Sequence, residues 1–468
     1  MENAKTYQNI CFGVYVFQKT GEKMVAETFK DIVCPVCGGT CDDIEVEYDK
    51  EKRDIVVRNA CKMGAAKFRE IVSNHRITSP KIRINGKLED SKWEDAIEKA
   101  AEILVNAKRP LFFMGSETSC EAMTVGLHMG EYLGGIVDSN STICHGPSLM
   151  GVQEAGKADA TAGETKNRAD VVIYWGVNPM CSMPRHMSRY AVFPRGYFVQ
   201  KGRKERKVIT VDPRVSETAK GSDIHLQLKP STDYELFSAL MLAVKGKPIH
   251  PSIEQVTGIS VEKILEVAQI MKNAKFGSIY GGLGLASSFG KHRNLECVLT
   301  LNKELQKYTK FQIGLIRGHC NVAGFNVLAS YLYGFPFGVD FSRGYPRYNP
   351  GEHTTTDVLR EKEVDAVFVM CADLGAHLAQ DSVRYMHDIP VICLDIAPCP
   401  STSVSNVVLP GVIDALECDG TFYRFDEIPI YYKPFTQSPF DFTKSNEDTM
   451  KQLFEKVKEL KELKKNRK

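Results

Sequence analysis

Short apolar runs that alternate with helix-like stretches are the feature of this sequence that most constrains its fold. The runs end at turn residues such as Gly, Asp and Pro, and they read RPLFFMG, ADVVIYWG, RKVITVDP, FGSIYGG, VDAVFVMC and IPVICLD. Stretches with helical spacing, such as SKWEDAIEKAAEILVNA, separate them. Because the runs are continuous and do not alternate with polar residues, they predict strands that are buried on both faces. The sequence therefore predicts an α/β fold in which helices cover parallel sheets.

The length and charge of the chain narrow the class of protein. A chain of 468 residues, 43% of them hydrophobic, is expected to form two to four domains. The 60 Lys and Arg residues nearly balance the 58 Asp and Glu residues, which argues against a general nucleic-acid or membrane-surface binder. The basic runs 195–207 and 458–468 are most simply solvated faces or a frayed helical tail, with partner docking as the alternative. The sequence shows no membrane-length apolar segment and no secretory signal, so we expect a cytoplasmic protein.

Four of the 14 cysteines form the clearest candidate metal centre. Cys34, Cys37 and Cys41 lie in the loop CPVCGGTC, and Cys61 follows a predicted hairpin, which gives the spacing C-x2-C-x3-C-x19-C. Four thiolates at tetrahedral corners suit either a zinc ion or a 4Fe-4S cluster. The close spacing of the first three thiols, with glycines that free backbone N–H groups, favours the cluster. Zinc stays open on spacing alone.

Residues just after the predicted strands are candidates for ligand binding, because ligands of parallel sheets lie beyond the carboxyl ends of the strands. Asp212 follows one strand and suits a ribose or guanine edge, and the glycines of YGGLG allow a pyrophosphate to approach the backbone. Each signal is weak alone, because an Asp before a Pro can simply end a strand and GGLG can be a turn.

Several motifs together resemble one family. In chain order they are CPVCGGTC with the later Cys61, G-x-N-P at 176–179, VDPR at 211–214, LKPSTDYEL at 228–236, RGHCNVAG at 317–324, and VVLPG with ECDGTFYR. This ordered set resembles the molybdopterin oxidoreductases of the formate dehydrogenase type. Within them, TICHGPSLMG, NPMCSMPRHMSRY, FSRGYPRYNPGEH and ECDGTFYRFDE are similar to the catalytic B subunits of formylmethanofuran dehydrogenases, the molybdenum or tungsten enzymes of methanogenic archaea. The resemblance spans residues 31 to 435.

The resemblance implies a cofactor set and the residues that would bind it. Two molybdopterin guanine dinucleotides would clamp molybdenum or tungsten, with Cys144 as the protein ligand. The residues that would ligate one 4Fe-4S cluster are Cys34, Cys37, Cys41 and Cys61. The residues that match positions near one dinucleotide are Asn178, Asp212, Arg214 and Asp233. Those in stretches that would face the other dinucleotide are Gly282, Gly284 and Asp373.

In this resemblance the reaction site would contain Cys144, His145 and Arg317. A soft thiolate suits a sulfur-rich metal centre, and an imidazole beside it can handle a proton. A guanidinium fork can hold a carboxylate through two hydrogen bonds. His319 is a further candidate for proton handling. Without the resemblance, the cysteine and the histidine would be interpreted as core residues, and the arginine as a phosphate-binding or sheet-edge residue.

The sequence departs from the family pattern at two points. Many formate dehydrogenases have a lysine two residues after the fourth cluster cysteine, whereas Lys62 follows Cys61 directly, which leaves its role as an electron relay open. Related single-chain enzymes also end in a barrel that covers both dinucleotides, and this sequence ends with a linker and a helix-like tail. The resemblance therefore implies partner chains: a barrel-like pterin-binding subunit, an amidohydrolase-like subunit and a polyferredoxin-type electron donor.

We therefore predict the molybdopterin oxidoreductase fold, an α/β fold with domains I to III and without the C-terminal barrel. The predicted parts are a cluster domain at 1–90, a split dinucleotide-binding domain at 91–140 and 336–430, a second such domain at 141–335, and a tail at 431–468. The implied reaction is reduction of CO2 to formate with electrons from the cluster, after which a partner subunit joins formate to methanofuran. The alternatives are a stand-alone formate dehydrogenase and a metal-free electron-transfer scaffold. Residues 1–30, with Cys11, have no assigned role.

Overall fold

The computed structural model describes residues 26–466, so Cys11 lies outside the described part of the chain. The strands are β1 (Glu27–Ile32), β2 (Ile44–Asp49), β3 (Asp54–Arg58), β4 (Lys81–Ile84), β5 (Lys87–Asp90), β6 (Pro110–Met114), β7 (Ile136–Ser139), β8 (Val171–Trp175), β9 (Lys207–Val211), β10 (Ile224–Leu226), β11 (Phe276–Gly281), β12 (Lys310–Leu315), β13 (Val339–Asp340), β14 (Arg347–Tyr348), β15 (Ala366–Met370), β16 (Val391–Asp395), β17 (Val407–Pro410), β18 (Gly420–Tyr423) and β19 (Pro429–Tyr432).

The α-helices lie between and around these strands. They are α1 (Lys62–Arg69), α2 (Trp93–Asn106), α3 (Cys120–Leu133), α4 (Gly146–Ala155), α5 (Ala162–Arg168), α6 (Pro179–Ser182), α7 (Glu217–Lys220), α8 (Asp233–Val244), α9 (Ser252–Thr257), α10 (Val261–Asn273), α11 (Leu283–Ser287), α12 (His292–Leu305), α13 (Val322–Tyr333), α14 (Thr355–Arg360), α15 (Leu374–His377), α16 (Gln380–Asp388), α17 (Pro400–Val404) and α18 (Asn446–Asn466). None of the helices in the described part of the chain combines the length and apolarity that a bilayer crossing requires.

The largest sheet is built around predicted apolar runs. Its strand order is β14-β13-β7-β6-β15-β16-β17-β4-β5, and the five strands from β7 to β17 in this order are parallel. Every residue of β6 and β15 is buried, as a continuous apolar run predicts. The other four strands pair in antiparallel fashion at the two edges. The prediction of parallel sheets in an α/β fold is confirmed.

A second sheet has five parallel strands in the order β10-β9-β8-β11-β12. The chain runs outward from β8 through β9 to β10 and then returns to the other side of β8 with β11. Such a reversal leaves a crevice beyond the carboxyl ends of the two central strands, and ligands of open α/β sheets bind there. The loops after β8 and β11 are therefore the first places to look for a binding site.

The cysteine-rich segment forms a small antiparallel sheet of its own, in the order β1-β2-β3. The predicted hairpin is confirmed, because β2 and β3 pair along their length from Glu45 opposite Arg58 to Asp49 opposite Asp54. Within the range 1–90, β4 and β5 belong to the nine-stranded sheet. The division of the chain into domains stays a prediction.

The first part of the C-terminal helix α18 packs on the core, whereas the described residues of the basic run 458–468 are all half-buried or exposed. Met450, Leu453 and Val457 of α18 are fully buried, and they pack in the same core as α2 and α3. Trp93 at the start of α2 stacks on Phe442, with ring centroids 4.3 Å apart. The apolar residues of α18 recur at helical spacing, so one face of the helix packs on the core. Lys461 of the same helix donates to the Tyr132 carbonyl oxygen of α3 at 2.7 Å.

Candidate functional site

The four cysteines of the spacing motif line one cavity. Cys34, Cys37 and Cys41 lie in the loop between β1 and β2, where the Cys34 N–H donates to the Cys41 carbonyl oxygen at 2.8 Å. Cys61 is the N-cap of α1 and reaches the same cavity. Gly64 leaves room for the sulfur atoms, because a Cβ there would lie 3.2 Å from the Cys34 Sγ. The loop and the first turn of α1 thus bring the four thiols to one place.

The separation of the sulfur atoms distinguishes between two kinds of metal centre. A tetrahedral zinc ion with Zn–S bonds of about 2.3 Å holds its sulfur ligands about 3.8 Å apart. Among the residues that the structure describes, no three of these cysteine sulfurs lie within 4.8 Å of one another. A cube of iron and inorganic sulfide spreads its four thiolate ligands further apart. The geometry therefore fits an iron-sulfur cluster better than a zinc ion.

The chemistry of the donor set also fits a metal centre. Burial raises the pKa of Cys34 far above its ordinary value, and the neighbouring thiol of Cys41 adds to the effect. Burial likewise raises the pKa of Cys37 to about 12. Burial also raises the pKa of Cys41, although Arg189 and Arg185 oppose this effect. Thiolates at these positions would need a bound cation, and a metal deprotonates the thiols that coordinate it.

Two arginines connect the cysteine loop to the segment after β8. Arg185 donates two hydrogen bonds to the carboxylate of Asp43, each 2.6 Å long. Arg189, in the π-helical turn Met187–Ala191, donates to Asp42 at 2.6 Å. Bidentate arginine-carboxylate pairs fix geometry as well as charge. The two arginines of the motif PRHMSRY thus hold the cysteine loop in place.

Cys144 and His145 lie in the turn between β7 and α4. His145 is the N-cap residue of α4, and Pro147 in the first turn of the helix is suited to that position. Cys144 is half-buried, and burial raises the pKa of its thiol while the guanidinium of Arg317 opposes the shift. Burial, assisted by Arg317, holds the pKa of the buried His145 well below its ordinary value. The imidazole is therefore neutral at neutral pH.

The hydrogen bonds of Asn326 determine which nitrogen of His145 carries the proton. The Asn326 Nδ2 donates to the Pro336 carbonyl oxygen at 2.9 Å and to the Ser141 hydroxyl at 2.7 Å. Its Oδ1 must then accept from the His145 Nε2, 3.1 Å away. The Nδ1 of this buried ring has no partner among the described residues. His145 consequently offers a free proton acceptor next to Cys144.

Arg317 follows β12, and its side chain is only 3% exposed. Of the described carboxylates, only that of Glu427 lies within 4 Å, with its Oε1 3.6 Å from the Nη2 of Arg317. The Nε and Nη1 atoms have no partner within the described part of the chain. Burial lowers the pKa of Arg317, while Glu427 and Cys144 act in the opposite direction. A buried guanidinium with unpartnered donors is suited to bind an anion.

The cysteine cavity and the Arg317 loop are in direct contact. A Cβ at Gly38, between the second and third cysteines, would lie 3.0 Å from the Arg317 carbonyl oxygen. The Phe425 N–H donates to the Gly38 carbonyl oxygen at 2.8 Å. The CGGTC turn therefore packs on the backbone that carries Arg317, which joins the two candidate centres.

Asn178 and Asp212 follow neighbouring strands of the five-stranded sheet. The Oδ1 of Asn178 accepts a hydrogen bond from the Thr218 hydroxyl at 2.7 Å. The Asp212 carboxylate accepts from the Arg214 N–H at 2.8 Å, and the Arg214 side chain extends into solvent with 76% of its surface exposed. Asn178 and Asp212 thus accept hydrogen bonds from nearby residues of the protein, and the exposed guanidinium of Arg214 lies next to the Asp212 carboxylate.

Asp233 starts α8 and accepts a hydrogen bond from the Trp175 indole N–H at 2.8 Å. Burial raises the pKa of its carboxyl group, and the indole hydrogen bond opposes that shift. Because Trp175 ends β8, this contact ties the start of α8 to the carboxyl end of the same sheet as Asp212. The structure thus brings these residues to one edge of the five-stranded sheet.

Gly282 and Gly284 are explained by a close approach of two loops. A Cβ at Gly282 would lie 2.4 Å from the Val177 Cβ, and one at Gly284 would lie 2.7 Å from the Gly176 carbonyl oxygen. The loops after β8 and β11 therefore touch through backbone at the crevice of the five-stranded sheet. The two glycines share this edge with Asn178, whereas Asp373, which we grouped with them, belongs to the nine-stranded sheet.

Asp373 follows β15 and lines an open cavity of about 280 Å³ at the carboxyl end of the nine-stranded sheet. Its Oδ1 accepts from the Ser401 N–H at 3.0 Å and from the Ser401 hydroxyl at 2.8 Å. His319 lines the same cavity, with its Nδ1 3.6 Å from the Glu117 carboxylate. Ligands of α/β folds bind in such clefts at the carboxyl ends of parallel strands.

Lys67, which the sequence analysis missed, lines this cavity as well. Lys62 is exposed, whereas Lys67 lies five residues further along α1 and pairs with Glu70 at 2.9 Å and Glu117 at 3.4 Å. Burial disfavours its charged amine, but the two carboxylates outweigh burial and raise the pKa of Lys67. The helix that begins at Cys61 thus carries a lysine to the cavity of the nine-stranded sheet, and no local sequence signal marks it.

A second group of metal-binding side chains lies at the same sheet edge. Cys393, Asp395 and Cys399 have ligand atoms that all lie within 4.8 Å of one another. Asp395 and Cys399 also line the cavity that contains Asp373. The alternation of residues along β16 could have identified the pair at 393 and 395, but the third residue comes from the following loop.

Comparison with known proteins places the chain in a family. The sequence profile of the molybdopterin oxidoreductases matches residues 76–455. The chain is 46% identical over 437 residues to the B subunit of tungsten-containing formylmethanofuran dehydrogenase 2 of Methanococcus maripaludis, with 93% of this chain and 100% of the relative covered. It is 42% identical to the corresponding B subunit of Methanocaldococcus jannaschii, with the same coverage.

Two solved structures share the fold. Acetylene hydratase of Pelobacter acetylenicus superposes with a TM-score of 0.73 at 14% identity, covering 92% of this chain and 69% of that chain. A chain of the formyltransferase/hydrolase complex FhcABCD of Methylorubrum extorquens superposes with a TM-score of 0.65 at 17% identity, covering 81% and 99%. The predicted fold class is confirmed by the family match and these neighbours. This chain is an oxidoreductase that belongs to the molybdopterin oxidoreductase family and, within it, to the family of formylmethanofuran dehydrogenase B subunits.

Proposed function

We propose that this chain is the catalytic subunit of a formylmethanofuran dehydrogenase and reduces CO2 to formate at a molybdenum or tungsten centre. The observation that carries the proposal is that His145, next to Cys144 in the sequence, and Arg317, more than 170 residues away, both have buried nitrogen atoms without a partner in the described part of the chain. Together they offer a soft thiol, a free imidazole nitrogen and a buried guanidinium with unpartnered donors. These are the groups needed to hold a soft metal, handle a proton and bind a carboxylate.

The proposed cofactors are one 4Fe-4S cluster and two molybdopterin guanine dinucleotides. Cys34, Cys37, Cys41 and Cys61 would hold the cluster, which is supported by the position of all four side chains on one cavity. Cys144 would hold the metal. The crevice between β8 and β11 and the cavity beside Asp373 offer two sites for the dinucleotides. When bound, the metal centre supplies the two-electron redox chemistry, which no side chain of the protein can provide.

The protein residues would bind the substrate and handle the proton. Conversion of CO2 to formate adds two electrons and one proton to the carbon atom. The Arg317 guanidinium would hold the carboxylate oxygens, and its charge interacts most strongly when the full negative charge of formate has developed. The free Nδ1 of His145 would accept the proton in formate oxidation and return it in CO2 reduction. His319 lies further along the same loop and is a weaker candidate for proton handling.

The proposed setting is a hetero-oligomeric complex. The relatives are named as B subunits, and one structural neighbour was solved in a formyltransferase/hydrolase complex. We infer three kinds of partner: a barrel-like pterin-binding subunit, an amidohydrolase-like subunit that joins formate to methanofuran, and a polyferredoxin-type electron donor. In methanogens this reaction would be the first, reversible step of methane formation.

Metal and pterin analysis of the complex, purified anaerobically and separated from the polyferredoxin-type donor, tests the cofactor set. We expect about four iron and four acid-labile sulfide per chain, together with one molybdenum or tungsten and two guanine nucleotides released on hydrolysis. One zinc per chain without labile sulfide would contradict the cluster. Absence of guanine nucleotide would contradict the proposed metal centre independently of the cluster result.

The arginine pairs on the cysteine loop lead to a separate prediction. The double variant Arg185→Met, Arg189→Met removes both contacts to the loop at Asp42 and Asp43, so we expect iron and sulfide to fall by more than half. Tungsten or molybdenum content should change much less. Iron and sulfide are measured by colorimetric assay on complexes that are purified in parallel and separated from the polyferredoxin-type donor.

The control variant is Arg203→Met, which breaks a bidentate pair with Asp223 elsewhere on the five-stranded sheet. It should keep its iron. Replacing Arg185 by lysine instead of methionine should restore little of the lost iron, because an ammonium group cannot reproduce two parallel hydrogen bonds. Full iron content in the double variant would show that the pairs do not hold the loop.

A further inference from the structure

We propose that Glu427 is a positioning residue for Arg317. Its carboxylate, held by Lys157, fixes one part of the buried guanidinium and leaves the rest free for the carboxylate of the substrate. The inference rests on the proposed role of Arg317 and adds to it the residue that determines where the guanidinium lies. No residue on either side of Glu427 in the sequence points to this role.

The first observation is the isolation of the arginine. Arg317 is buried, and the Glu427 carboxylate, with its Oε1 3.6 Å from the Nη2, is the only described one within 4 Å of it. A buried charge without a compensating partner is strongly unfavourable, so a charged neighbour largely determines where such a side chain settles. Removing this carboxylate would leave no carboxylate within 4 Å of the guanidinium in the described part of the chain.

The second observation is that hydrogen bonds to several segments hold the backbone turn that contains Glu427. Glu427 lies in the turn between β18 and β19, where its N–H donates to the Arg424 carbonyl oxygen at 2.9 Å and its φ is 61°. The neighbouring Phe425 N–H donates to the cysteine loop at Gly38, and the Asp426 carboxylate accepts from the Ala162 N–H at 2.6 Å. A turn tied to the cysteine loop and to α5 presents its carboxylate from a fixed position.

The third observation is the lysine that holds the carboxylate. The Lys157 Nζ lies 2.9 Å from the Glu427 Oε1 and 2.6 Å from the Asp159 carboxylate, and its side chain is only 10% exposed. Lys157 follows the end of α4, whose N-cap is His145. One helix therefore connects the proposed proton-handling residue to the lysine that restrains Glu427. The three charges Arg317, Glu427 and Lys157 form one continuous group.

The arrangement leaves the right donors free. A guanidinium has five N–H donors on two edges, and a carboxylate substrate needs two of them on one edge. Glu427 approaches only Nη2, while Nε and Nη1 have no partner in the described residues. Both edges on which a guanidinium can bind a carboxylate through two hydrogen bonds include Nη2, which has two N–H bonds. Glu427 can restrain the arginine through one of them, and the other N–H, together with Nε or Nη1, can bind the carboxylate of formate.

The experiment compares Glu427→Gln and Lys157→Met with the parent complex, using Glu154→Gln as the matched control on the same helix. Glu154 pairs with the exposed Arg293 at 3.0 Å and touches nothing in this group. Three quantities are measured: steady-state formate oxidation with viologen, the dissociation constant of carbon-14 formate by equilibrium dialysis, and the position of the Arg317 side chain in crystals of the variant complex.

For Glu427→Gln we expect kcat/KM to fall about 10- to 100-fold, as is typical when a supporting hydrogen-bond or charge partner is lost. Formate should bind at least fivefold more weakly, at unchanged metal and pterin content, and the guanidinium should move by more than 1 Å. Lys157→Met should give a smaller change in the same direction, and Glu427→Asp should recover part of the loss. Glu154→Gln should match the parent in all three measurements.

Unchanged kcat/KM and formate binding in Glu427→Gln would overturn the inference. Tighter formate binding would also overturn it, since Glu427 would then compete with the substrate instead of positioning its partner. The crystal structure of the variant tests the positioning role of Glu427 separately from the proposed function. If the parent complex does not oxidise formate, the proposed function is wrong. If Arg317 stays in place in Glu427→Gln, only the positioning role is wrong.

Discussion

Replacing Arg317 by alanine is expected to lower kcat/KM for formate oxidation about 10²- to 10³-fold, which corresponds to losing one preorganised, charge-assisted contact in the transition state. The metal and pterin content should remain near that of the parent complex, because Arg317 is not among the proposed metal ligands and its Nε and Nη1 atoms have no partner in the described part of the chain. The measurement is viologen-linked formate oxidation on the assembled complex, with metal content determined on the same samples.

Two companion variants sharpen this prediction. Arg317→Lys should restore little activity, because a point charge cannot hold two carboxylate oxygens in a plane. Cys144→Ala should instead change metal occupancy or coordination, so it fails in a different measurement. Retention of half the activity or more in Arg317→Ala at full metal occupancy would make Arg317 a structural residue, and the carboxylate-binding mechanism would have to be abandoned.

The second large effect is expected for Glu417→Ala. Arg76 and Glu417 form a bidentate pair with bonds of 2.9 and 3.0 Å, and their side chains are only 6% and 1% exposed. Glu417 also accepts from the Ile413 N–H at 2.6 Å. Removing one member leaves the other charge buried, which typically costs about 3 to 5 kcal/mol in the free energy of unfolding.

Urea unfolding followed by circular dichroism measures this change. The double variant Arg76→Met, Glu417→Leu should recover most of the lost stability, because two apolar side chains leave no buried charge. Glu154→Ala, in an exposed pair with Arg293, serves as the control and should cost no more than about 1 kcal/mol. A loss of that small size in Glu417→Ala would mean that water reaches the pair and that Glu417 does not stabilise the ECDG turn.

The strands were predictable because burial on both faces requires a continuous apolar run. The runs RPLFFMG and VDAVFVMC became the fully buried neighbours β6 and β15, although more than 250 residues separate them in the sequence. What the runs cannot specify is the order of strands in a sheet, since each run satisfies the same burial rule. The packing of the C-terminal helix was not predicted for a related reason: the apolar positions Met450 and Leu453, which precede the basic run 458–468, become buried only because α2 provides a surface for them to cover.

The candidate site was predictable only where its residues lie close together in the sequence. The spacing of the four cysteines identifies the candidate metal centre because one loop and the start of one helix position all four thiols, so no contact between distant segments is needed. The Glu427 contact to Arg317 and the position of Lys67 depend on packing between distant segments, and the sequence offers no sign of either. The role of Lys62 was therefore left open, and the side chain that lies at the cavity belongs to Lys67, at a later turn of the same helix.

The central claim is that this chain carries the site at which CO2 and formate interconvert. The most direct measurement gives the purified complex carbon-13 CO2 and a low-potential reductant in the absence of methanofuran, and follows carbon-13 formate by NMR. We predict formate formation that is catalytic in enzyme and is abolished in Cys144→Ala. A complex with full metal, pterin and iron content that forms no labelled formate would contradict the account.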